Sequence, residues 1–119
     1  MSRTGAKHDF NLEKGSTFTH TINVADSDGN NIDLSGYSVD LDVREEFASN
    51  DVVLDFTTGN SRIDLSDSAN GNIQLNVSDT DTVDLSAGEY VYDLRIESGS
   101  GDADFIIFGN FNILETVTR

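Results

Sequence analysis

A chain of 119 residues has room for one domain with a sizeable core and is short for two. Its 22 acidic and 7 basic side chains leave a formal charge of −15, which repels phosphate backbones and argues against a nucleic-acid partner. There is no cysteine, hence no disulfide framework and no thiol chemistry, and no run approaches the roughly 20 apolar residues of a membrane-spanning helix.

The charge is uneven. The first 14 residues carry Arg3, Lys7 and Lys14 against Asp9 and Glu13, a net of +1. Two accounts of the acidic remainder stay open: solubility or a saline environment, and docking of the mildly basic N-terminal segment on an acidic neighbouring copy or partner. The N-terminus lacks the apolar segment of a signal peptide, so the chain is expected to be made in a cytosol. Asp, Asn, Ser and Thr dominate the polar residues, and Ala and Leu lie nowhere at helical spacing. An all-β fold follows.

In chain order, residues 1–9 read as a flexible N-terminal arm and residues 10–119 as the folded domain, with Phe10 and Leu12 pinning the arm's end. Ser16 to Ala25 alternates as a strand, with Phe18, His20, Ile22 and Val24 on its inward parity. Asp26-Ser27-Asp28-Gly29-Asn30-Asn31 is a turn, because Asp-Gly supplies the positive φ that tight turns require at Gly29. Ile32 and Leu34 make a short return. Tyr37 to Arg44 is the next strand, with Asp40 and Asp42 outward, and Glu45 to Asn50 is polar and loose.

Val52 to Thr57 follows as a strand, with Val52, Leu54 and Phe56 on one parity; Val53 falls on the other and points to burial on both faces there. Arg62 to Leu65 and Ile73 to Val77 are further strands. Ser78 caps one helical turn with acidic residues in its first positions. Tyr90 to Glu97 alternates strongly, a Gly-rich turn follows, and Ala103 to Leu114 closes the domain, with a bulge or bend expected at Gly109-Asn110. Without proline, the outward acids Asp40, Asp42 and Asp93 are expected to keep sheet edges from pairing. The count and spacing of these seven or eight strands, with one short helical turn, match an antiparallel β-sandwich or a small barrel.

Chemical motifs are few. Asp26-Ser27-Asp28-Gly29-Asn30 places glycine at position 4 and Tyr37 at position 12, which fails the spacing of an EF-hand calcium loop. A plain turn and a surface cation near Asp26 and Asp28 both remain open. His8 in the arm and His20 on a strand suggest no Ser–His–Asp set, and no phosphate-cradling loop occurs. The expectation is no catalytic residue, no cofactor and no metal. Leu85-Ser86-Ala87-Gly88-Glu89-Tyr90-Val91-Tyr92 resembles the corner of immunoglobulin-like sandwiches, in which Gly88 precedes Tyr90 by two and the Tyr90 hydroxyl bonds a nearby backbone group. Tyr92 then stands where those domains carry their second disulfide cysteine, and the resemblance implies a single immunoglobulin-like antiparallel β-sandwich of seven or eight strands with one short helical turn.

The order of short motifs resembles a recurrent domain of tailed-phage virion proteins. It runs from Gly15-Ser16-Thr17-Phe18-Thr19 through Asp28-Gly29-Asn30 and Ile32-Asp33-Leu34-Ser35-Gly36-Tyr37. Val43-Arg44-Glu45, Gly71-Asn72-Ile73, Gly88-Glu89-Tyr90-Val91-Tyr92-Asp93-Leu94 and Thr116-Val117-Thr118-Arg119 complete it. It is similar to the amino-terminal immunoglobulin-like domain of upper baseplate proteins. The resemblance implies a virion component, assembled in the host cytoplasm, that joins tail, baseplate or fibre parts and copies of itself without enzymatic activity. Capsid decoration is the alternative, and a calcium- or carbohydrate-dependent adhesion module a further one. Ser2, Arg3 and Lys7 in the arm and Thr116, Val117 and Arg119 in the tail are the candidate contact residues.

Overall fold

The computed structural model describes residues 6–26 and 28–117. Its strands are β1 (Ala6–Lys7), β2 (Phe10–Glu13), β3 (Phe18–Asn23), β4 (Ser38–Arg44), β5 (Val52–Phe56), β6 (Ile63–Asp64), β7 (Asn72–Val77), β8 (Gly88–Glu97) and β9 (Ala103–Leu114). A 3-10 turn covers Ser68–Asn70, and one helical turn, α1 (Asp79–Thr82), bridges β7 and β8.

Two sheets face each other. One orders β9-β8-β4-β5 with β1 and β2 both along the outer side of β9; the other orders β3-β7-β6. A larger sheet that continues past β4 to an added edge strand, opposed by a three-stranded sheet, is the strand order of an immunoglobulin-like sandwich. Alternation drives it. Val39, Leu41 and Val43 of β4, Tyr92 and Leu94 of β8, and Phe111 and Ile113 of β9 turn inward and are buried. They meet Ile22 of β3, Ile63 of β6 and Ile73, Leu75 and Val77 of β7 from the opposite sheet. Phe111 sits at the centre of an aromatic group with Phe10, Phe18, Phe56 and Tyr92, ring centroids 5.7–6.1 Å away.

Four expectations need correction. Residues 6–9 are not a free arm: β1 and β2 run parallel to β9 in one continuous register, Lys7 opposite Phe108 and Phe10 opposite Phe111. Parallel pairing of the two chain ends is non-local, so no pattern within nine residues announces it. Second, Gly109 marks no bulge. It pairs regularly with Tyr92, and the extra residue is Ile106, between the Leu94–Ile107 and Arg95–Phe105 pairs. Third, Val53 is the extra residue of a bulge, lying between the Val43–Leu54 and Arg44–Val52 pairs, not part of a strand buried on both faces. Fourth, Ser78 precedes α1 with its carbonyl accepting from Asp81 and Thr82, yet its side chain makes no cap bond and instead lies 3.1 Å from the Thr80 hydroxyl.

Candidate interaction surfaces

The seam between the sheets is built from the N-terminal strand. Between β1 and β2 the chain closes on Gly109, where a Cβ would overlap the His8 carbonyl oxygen and the Asp9 carboxylate. The absence of a side chain there lets the His8-Asp9 segment approach β9, and the Tyr92 hydroxyl donates to the His8 carbonyl. Burial pushes the Tyr92 phenol well above its ordinary value, with the Asp9 charge adding to the effect, so the hydroxyl keeps its proton and stays a donor. The His8 amide donates to the Phe108 carbonyl (2.9 Å), and the Asn110 amide to Asp9 Oδ1 (2.9 Å).

His8 shares inward parity with Phe10, which brings its ring across the seam to His20 of β3, centroids 5.5 Å apart. Phe10 meets both imidazoles edge-on at 4.8 Å. His20 is held below the usual histidine range, first by burial and then by the neighbouring His8 charge. The sequence placed these histidines apart, one in an arm and one on a strand. The structure brings them into contact.

Farther along the seam, Thr82 is a buried polar residue of α1. Its hydroxyl donates to the Ser16 carbonyl at 2.7 Å and accepts the Gly15 amide at 3.1 Å, clamping the turn between β2 and β3.

The tyrosine corner sits at the start of β8. Tyr90 Oη donates to the Ser86 carbonyl at 2.9 Å, and the Tyr90 ring would lie 3.5 Å from a Cβ on Gly88. At the opposite end Gly29 adopts a φ of +86°. Asp26 Oδ1 accepts the amides of Asp28 and Asn30, each at 3.0 Å, so this carboxylate organises its own turn. Asp67 behaves similarly: the side-chain amides of Asn72 (2.6 Å) and Asn70 (2.7 Å) hold it below the usual carboxylate range. Among the described residues, no group of three or more His, Asp or Glu side chains gathers as metal ligands.

The outer face of the larger sheet was not singled out by the sequence. β4 and β8 are interior strands, so Asp40, Asp42 and Asp93 lie on a face and guard no edge. Asp55, Asp42 and Asp93 stand directly opposite one another across β5, β4 and β8, a like-charge row that costs stability. Arg44 offsets part of it through Asp42 at 3.2 Å, and Arg62 through Asp55 at 3.5 Å. Two large apolar side chains are exposed beside this row, Phe47 at 51% and Phe105 at 41%. With Arg44, Arg95, Asp40 and Asp93 they line a shallow depression of about 620 Å³. The signal for Phe47 was its isolation in a polar loop; Phe105 faces out because the bulge at Ile106 resets the parity of β9.

Of the contact residues named from sequence, Lys7 is exposed on β1 and Val117 is fully exposed. Thr116 is half-buried and donates its hydroxyl to the Lys14 carbonyl at 2.8 Å, an internal tie where a free contact was expected. Ser2, Arg3 and Arg119 lie outside the described residues. The outer edge of β5 is partly blocked, since Asn60 and Arg62 side chains both donate to the Asp55 carbonyl (3.1 and 3.0 Å). No helix among the described residues is long and apolar enough to cross a membrane.

No family model and no curated protein matches the chain. Among solved structures, extracellular domains 3–5 of Drosophila OTK match at a TM-score of 0.36 and 16% identity, covering 95% of this chain and 34% of that one. The chain thus spans about a third of that structure. At this TM-score the match carries no argument, and the fold assignment stands on strand order and register.

Proposed function

We propose that this chain is a non-enzymatic structural module of a tailed-phage virion, a tail, baseplate or fibre-attachment adaptor acting through protein–protein contacts with other virion proteins and with copies of itself. The observation that carries the reading is the outer face of the larger sheet. Exposed phenylalanines beside alternating Asp and Arg side chains have the composition of a protein-binding patch, with aromatic anchors and a charged surround. The order of short motifs described above supplies the virion context. A rigid sandwich repeated in many copies turns modest single contacts into strong collective ones.

Peptide mass spectrometry of purified particles from the replicon that encodes the chain tests this. The reading expects the chain at fixed stoichiometry, with the double variant Phe47→Asp, Phe105→Asp folding normally and failing to incorporate. Particles that lack the wild-type chain contradict the reading. Copy number separates the alternatives: near-parity with the major capsid protein indicates decoration, and a small ring-sized number indicates a tail or baseplate position. A thermal midpoint that rises with calcium would favour the adhesion module instead.

A further inference from the structure

We propose that His8 and His20 form an acid-triggered latch that detaches the N-terminal strand from the sandwich and uncovers the outer edge of β9. The inference is independent of the virion reading. By hydrogen bonds β1 and β2 belong to the larger sheet, but the His8 and Phe10 side chains are what close it against the edge strand β3 of the other sheet. The two imidazoles lie ring to ring at 5.5 Å with Phe10 wedged against both. Neutral rings pack there at no electrostatic cost; two imidazolium ions repel at that separation, and the half-buried His20 loses hydration against Phe10.

Compensating charge is sparse. From the N-terminal strand the titratable groups at the seam are His8, Asp9 and Glu13, and Asp9 is engaged by the Asn110 amide. The partner of His20 on β7 is Leu75, flanked by the uncharged Gln74 and Asn76. β8 contributes Tyr92, whose hydroxyl donates to the His8 backbone carbonyl, and β9 contributes Gly109, Asn110 and Phe111.

The sign follows from the lowered affinity of His20 for a proton in the closed state. An opened or unfolded chain binds that proton near the ordinary value of about 6.5. Closure therefore keeps its full stability above that pH and loses it as the pH falls toward the folded value. The strand that lets go is weakly held: β1 is two exposed residues, whereas β2 buries Phe10 and Leu12. Detachment exposes the backbone of Ile107 to Asn110, an unpaired edge able to accept a strand from a second copy.

Amide hydrogen exchange of the full ¹⁵N-labelled chain at pH 7.5 and 5.5, corrected for intrinsic rates, tests the latch. Relative to the interior Leu94 amide, protection of the His8 and Asn110 amides is expected to fall on acidification, the direction set by the lowered proton affinity of His20 in the closed state. The drop should vanish in both His20→Gln and His8→Gln, of which either suffices if the other fails to fold. Equal protection at the two pH values, a parallel drop at Leu94, or an undiminished drop in the folded variant would overturn the proposal.

Discussion

The pairing of the N-terminal strand with β9 has two halves of unlike character. From Phe10 to Glu13 it is closed: Phe10 and Leu12 are buried beside Phe111 and Ile113, and the end is tied by Thr82 to Ser16, Thr116 to Lys14 and Lys14 to Glu115. From Ala6 to His8 it is open: Ala6 and Lys7 are exposed, and a groove of about 430 Å³ lies beside Ala6 between Ile22 and Val24 of the β3 side and Ile106 and Ile107 of β9. One register yields two stabilities, because burial and side-chain ties are not spread evenly along it. The dividing point is His8-Asp9 over Gly109.

The most damaging substitution should fall in the closed half. Phe111→Ala removes the centre of the aromatic group and should cost about 3–5 kcal/mol, lowering the urea midpoint of the whole domain. Gly109→Val overfills the dividing point and should cost about 1–3 kcal/mol. Its signature is local: lost protection at His8 with near-native circular dichroism. A uniform collapse would erase the distinction between the halves. Tyr92→Phe leaves the His8 carbonyl without its donor, and about 1–2 kcal/mol is the expected loss by chemical denaturation. Lys14→Ala, breaking the surface pair with Glu115, should cost less than about 1 kcal/mol, and that small loss should shrink further in high salt.

Much of the larger sheet was legible. Period-two alternation around Tyr90 to Glu97 and Ala103 to Leu114 marks β8 and β9 closely, because long half-buried strands repeat the signal many times. The Gly88-x-Tyr90 spacing likewise points to a hydroxyl within reach of the preceding loop, and Ser86 receives it. The edges were not legible. Ala6-Lys7 is too short to alternate, and its partner lies 101 positions away. Gly109 was a true signal with two physical readings, a bulge or a close backbone approach, and only the position of His8 decides between them. The two bulges explain two further differences, since one extra residue reverses parity: Val53 mimics a doubly buried strand, and Ile106 sends Phe105 to the surface. The binding face escaped detection because its acids belong to three strands whose alignment no single stretch of sequence contains.

Native-state hydrogen exchange at pH 7.5 across a low urea series tests the division most directly. The His8 and Asn110 amides should exchange through a small opening insensitive to urea, while interior amides such as Leu94 follow the global unfolding free energy and its urea slope. If the His8 amide shares the protection and slope of Leu94, the N-terminal strand is one uniform element and the account is wrong.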